Sequence, residues 1–116
     1  MTAAPEARGS APYSVQNIKV VVASSDVQVR EFTAAPDDEI PWHYHTRVTD
    51  WCYCLEGVVR AETRQTEGGA VSVQEINIGQ SCRIDAGIIH RLTNAGTATC
   101  RYLLVQSGGR YDFHKL

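Results

Sequence analysis

The stretch Pro41-Trp42-His43-Tyr44-His45-Thr46-Arg47-Val48-Thr49-Asp50-Trp51-Cys52-Tyr53-Cys54-Leu55-Glu56-Gly57 decides how the rest of the chain is read. His43 and His45 stand two apart, and in an extended strand residues i and i+2 point to the same face. Both imidazoles therefore lean toward one point on a sheet. Asp50 follows after a short gap, and an apolar run closes at Gly57. If Asp50 points inward, Cys52 and Cys54 do so too, while Trp51, Tyr53 and Leu55 face the other way. These features predict half of a metal site carried on β-strands.

Outward from this stretch the chain reads as short strands separated by turns. Upstream, Ile18–Ala23 is a β-branched run. Val27–Thr33 alternates in part, with Val27 and Val29 on one face, and Ala35-Pro36-Asp37-Asp38 is a turn signal. Ile40–His45 and Trp51–Leu55 are strands. In Val58–Arg64, Val59, Ala61 and Thr63 share one face and the charged residues share the other, as in a half-buried antiparallel strand. Glu67-Gly68-Gly69 is a hairpin loop. Val71–Ile78, Ser81–Ile84, Ile88–Thr93 and Cys100–Gln106 complete nine or ten strands, and no segment keeps a helical period. The pattern predicts an all-β sandwich or barrel. Residues 1–14, rich in Ala, Pro, Gly and Ser, read as a flexible N-terminal tail, and 15–116 read as one domain.

Composition excludes several functions. The chain has 116 residues, 43% hydrophobic and 21% charged, with a net charge of −2. That balance gives no electrostatic footprint for nucleic acid or an anionic membrane. No apolar run is long enough for a membrane helix, and no secretory signal opens the sequence, so the expected location is cytoplasmic. Cys52 and Cys54 form a CxC, and Cys82 and Cys100 stand apart, so no four-cysteine zinc site is spelled. The thiols read as small buried hydrophobes.

Two motifs can be set side by side: His43-x-His45-x4-Asp50-x6-Gly57, preceded by Asp37, and Gly79-x5-Asp85-x-Gly87-x2-His90-x3-Asn94. Together they resemble the two motifs of the cupin superfamily, G-x5-H-x-H-x3,4-E-x6-G and G-x5-P-x-G-x2-H-x3-N. His43, His45, Gly57, Gly79, Gly87, His90 and Asn94 fall at the family's positions. Three positions depart from it: Asp37 replaces Gly, Asp85 replaces Pro, and Asp50 replaces the acidic ligand Glu. The last bears on function, because Asp is a methylene shorter.

The resemblance implies a double-stranded β-helix barrel of antiparallel strands holding one divalent transition metal (Fe, Mn, Ni, Zn or Cu). His43, His45 and His90 would be its imidazole ligands. Asp50 would be either a fourth ligand or a nearby base. Neutral imidazole suits such metals, and three of them leave coordination positions open. Trp42, Cys52, Cys54 and Tyr102 are the expected pocket lining. Arg47 stands between the ligands in sequence, at the expected mouth, and His114 reads as a surface residue. The expected function is a metal-dependent enzyme, a dioxygenase or an isomerase, acting on a small organic substrate. The alternative is a non-catalytic barrel that binds or senses a small molecule. A homodimer is expected, with Trp51, Tyr53 and the C-terminal Tyr111-Asp112-Phe113 as candidate contacts, the last segment packing either on the barrel or on a second subunit.

Overall fold

The computed structural model describes residues 12–116. The strands are β1 (Asn17–Ala23), β2 (Val27–Ala34), β3 (Glu39–Tyr44), β4 (Thr49–Glu56) and β5 (Val58–Arg64). They continue as β6 (Ser72–Asn77), β7 (Ser81–Ile84), β8 (Ile89–Asn94), β9 (Cys100–Ser107) and β10 (His114–Lys115). They form two five-stranded sheets, in the orders β1-β2-β9-β4-β7 and β10-β3-β8-β5-β6. All pairings are antiparallel. This is the expected all-β double-stranded β-helix. No helix among the described residues is long and apolar enough to cross a membrane.

The core lies between the inner faces of the two sheets, and alternation puts it there. Along β9, Cys100, Tyr102, Leu104 and Gln106 are buried while the residues between them are half-exposed. Phe32 and Tyr102 are cross-strand partners and stack with centroids 5.2 Å apart. Val59, Ala61, Ile76 and Leu92 face them from the other sheet. Burying each larger apolar side chain contributes about 1.5–3 kcal/mol.

Strand β2 is framed differently from the sequence reading. Arg30, Phe32 and Ala34 are its buried residues, whereas Val27 and Val29 are half-buried on the opposite parity. An arginine thus occupies an inward position. In β3 the register slips by one residue between Ile40 and His43, a β-bulge. Ile40 and His43 both face the core although they are three apart.

Three turns explain the motif residues that carry no metal-binding group. Asp37 has φ 76°, so Asp fills the left-handed turn position where the family has Gly. Gly57 also has positive φ, and a Cβ there would lie 2.9 Å from the Cys100 Cβ. The Asn94 side-chain amide donates to the carbonyls of Ala34 and Ala98, tying the β8–β9 turn to β2.

Several expectations change. The expected tail falls mostly outside the described residues. At its described end, however, Tyr13 packs against Phe32 and Phe113, so that part is seated on the core. Of the one or two strands expected in Val71–Ile78, one forms, β6, and β10 had no apolar signal to announce it. The C-terminal aromatics turn inward, toward the histidines, and so pack on their own barrel. Trp42 is no pocket-lining residue: its ring is covered by the Arg64 and Arg91 guanidiniums, at 4.4 and 5.2 Å, on the outer face. The bulge gives the inward position to His43 instead.

Candidate metal centre

His43, at the end of β3, and His45, just beyond it, come from the same strand segment. His90 comes from β8, where it is the cross-strand partner of His43. All three are buried, and their ligand atoms lie within 4.8 Å of one another. Asp50 reaches the same point from β4, in the opposite sheet. Four residues from two sheets therefore meet inside the barrel.

Each imidazole is oriented through its Nδ1. His43 Nδ1 lies 2.6 Å from the Pro41 carbonyl, His45 Nδ1 2.6 Å from the Asp112 carbonyl, and His90 Nδ1 2.9 Å from the Ile88 carbonyl. A carbonyl only accepts, so each Nδ1 carries the proton. In the neutral ring this leaves the Nε2 lone pair free for a metal. Burial, followed by the charge of neighbouring His90, pushes the His43 pKa down to about 3, so this ring is neutral at pH 7. Burial presses His45 the same way, but the Asp50 carboxylate outweighs it and raises the pKa. Burial would raise the pKa of Asp50, yet His45 and His90 hold its carboxyl well below the usual carboxylate range.

The Asp50 Oδ2 lies 3.4 Å from His45 Nε2 and 3.2 Å from His90 Nε2. Neither nitrogen has a hydrogen-bond partner, and nor does Asp50 Oδ1. Buried polar atoms left in this condition are rare because each costs free energy. Two donors about 2.1 Å from a common ion stand about 3.0 Å apart at a right angle and about 3.4 Å apart at a tetrahedral one. Asp50 thus stands at the spacing of a co-ligand from two imidazoles, despite its missing methylene. The residues fit a first-row divalent cation with nitrogen and oxygen donors.

The other expected lining residues belong to the surrounding core. Cys52 is next inward from Asp50 and opposite Cys82, and burial raises both thiols, that of Cys82 to about 11. The Cys54 sulfur faces the main-chain oxygen of Gly57, and Tyr102 stacks on Phe32. All four cysteines are free. With their pKa values raised, none is a ready nucleophile. His114, the expected surface histidine, is exposed.

The sequence reading missed the residues that close the centre. Phe113 stacks on His43 at 4.3 Å, and the Tyr111 ring lies 5.3 Å from that of His45. Between them the Asp112 carboxylate accepts from the Thr46 amide and hydroxyl, holding the segment down. Contacts of such long range leave no periodic trace in sequence. On another side, a cleft of about 180 Å³ opens between the sheet edges, lined by Ala61, Thr63, Cys82 and Ile84 among others. Thr63 is the cross-strand partner of His90, and Ile84 that of Asp50, so the cleft adjoins the centre.

Known structures share the barrel. A Klebsiella pneumoniae protein with a double-stranded β-helix domain is 26% identical, with a TM-score of 0.67, covering 84% of this chain and 80% of that one. Peruvianin-I, a cysteine peptidase from Thevetia peruviana latex, is 15% identical with a TM-score of 0.75, covering 91% and 72%. An oxalate decarboxylase variant of Bacillus subtilis is 16% identical with a TM-score of 0.76, covering 90% of this chain. The chain spans only 29% of that decarboxylase. Among proteins of curated function, none matches in sequence. The cupin domain model matches residues 30–106, which hold both histidine motifs and every residue of the centre, and the chain therefore belongs to the cupin family.

Proposed function

We propose that this cupin is a metal-dependent enzyme of the dioxygenase or isomerase class, acting on a small organic substrate. One observation carries the reading. His45 Nε2 and His90 Nε2 are buried, unpartnered and gathered with His43 at one point, with Asp50 Oδ2 within 3.4 Å of both. A protein that only needed a core would put apolar groups there.

A bound divalent ion would polarise substrate oxygens and stabilise developing negative charge. The chain's own residues do the rest. The three backbone carbonyls fix the imidazoles, and Phe113 and the core around Tyr102 keep bulk water from one side. The cleft beside Thr63 admits a small molecule from another. Asp50, ionised and 1% exposed, either completes the ligand set or takes a proton from the bound substrate. The barrel also forms a homodimer through the outer face that carries Trp51, Tyr53 and Leu55.

The test is metal analysis of the protein as isolated, beside its His90→Ala variant and with turnover assayed on small hydroxy and keto acids. The wild type is expected to hold about one ion per chain, and the variant to lose both ion and turnover. Full turnover by the variant would refute the proposal. A metal-free wild type that binds a metabolite and returns it unchanged would identify a non-catalytic binding barrel.

A further inference from the structure

The buried polar atoms without partners sort by chemical sign. At the metal centre they are His45 Nε2, His90 Nε2 and Asp50 Oδ1, which call for a cation or a donor. Two more, the Nε atoms of Arg60 and Arg64, lie on the outward parity of β5. The last is Arg30 Nε, inside the barrel, which calls for an acceptor.

Arg30 is 4% exposed and shares its inward parity with Phe32 and Ala34. Its Nη2 donates to Gln106 Oε1 at 3.0 Å and to the Tyr111 hydroxyl at 3.3 Å. Among the described residues no carboxylate pairs with it. The faces of Phe32 and Tyr111 also lie near it, each 5.1 Å from Cζ. A buried guanidinium without a counter-charge is costly, and aromatic faces repay little of that cost.

The position links this group to the metal centre. The Tyr111 ring lies 5.1 Å from the Arg30 Cζ and 5.3 Å from the His45 ring. Gln106, which Arg30 bonds, is the cross-strand partner of Asp50. Asp50 itself is turned to His45 and His90 and does not neutralise Arg30. At the surface, Arg47 and Arg110 border a depression beside Tyr111 and Asp112, adding positive charge to this side of the barrel.

We propose that Arg30, with the Tyr111 hydroxyl and oriented by Gln106, forms a carboxylate subsite beside the metal centre, so that the substrate is a small organic acid. This rests on the metal-enzyme reading. The carboxylate takes the donors of Arg30, for which a planar guanidinium is the matched partner. The neighbouring oxygen of the same molecule turns toward His43, His45 and His90.

The experiment is calorimetric titration of the metal-loaded protein with glycolate and with glycolamide, its uncharged counterpart. The wild type is expected to bind glycolate at least tenfold more tightly than glycolamide. Arg30→Gln should lose at least tenfold of the glycolate affinity while keeping its metal content and its weak glycolamide binding. Should Arg30→Gln fail to fold, Tyr111→Phe and Arg30→Lys replace it, each expected to weaken glycolate several-fold. Equal wild-type affinities for the two probes would overturn the subsite, as would replacement variants that bind glycolate undiminished. The two proposals separate in His90→Ala. If that metal-free protein still prefers glycolate, the subsite stands whatever becomes of the metal reading. A metal-loaded wild type blind to the charge refutes the subsite alone.

Discussion

Asp50 is the residue on which the chemistry turns. Sequence alone left open whether an Asp could replace the family's Glu, because reach depends on the depth of β4 and not on residue type. Its Oδ2 stands within 3.4 Å of two imidazole nitrogens. Asp50→Asn keeps the shape and removes the charge, and is expected to weaken metal retention about 10–100-fold, as losing a supporting carboxylate does elsewhere. Competition with a chelator of known affinity measures this. Unchanged retention would leave Asp50 only the role of a base. The three histidines, by contrast, were legible because their spacings obey strand parity and the turn positions between them. Arg30 was not, since the partial alternation of Val27–Thr33 did not say which face of β2 turns inward. The neighbouring Phe32 was the signal that could have decided it.

Among the elements, the strands with β-branched or alternating sequence were readable nearly to their ends, and the C-terminal segment was not. Tyr111, Asp112 and Phe113 follow two glycines and show no period, yet they support His45 and cover His43. Asp112 anchors them. Burial would raise its carboxyl, but the Thr46 hydroxyl and amide, with His114, bring it down to about 2. A depressed carboxylate contributes stability that is full above its unfolded value, near 4, and is lost as pH falls toward 2. Because the group is largely exposed, the effect is modest. Asp112→Asn is expected to lower the melting temperature at pH 7 and to flatten its decline between about pH 4 and 2. Thermal melts across that range check it; parallel wild-type and variant curves would count against the anchor.

For the whole molecule, the barrel buries its polar machinery between the sheets and leaves Tyr53 and Leu55 exposed on the outer face of β4. The proposed homodimer predicts a species of twice the 12.8 kDa chain mass in light scattering, reduced to one chain by Tyr53→Glu. A wild-type monomer at micromolar concentration would exclude it. The fold class was legible because strand and turn signals alternate along the entire domain. What closes the barrel was not, because it depends on Tyr13 and Phe113 meeting from opposite ends of the chain.

The slip in β3 has one more consequence. Up to Ile40 the strand turns its even-numbered residues inward, and from His43 onward its odd-numbered ones. The one-residue insertion therefore acts as a phase switch: before it the strand supplies hydrocarbon to the core, and after it the strand supplies ligands. Exchanging Trp42 for another side chain alters only an outer stack. Deleting it removes the extra residue, so Ile40 and both histidines fall on one regular inward phase, and the shortened protein is expected to fold and to keep its metal. Circular dichroism beside metal analysis reads the two halves of that expectation, and a folded deletion protein that holds no ion would show that the bulge sets the depth of the ligands and not only their phase.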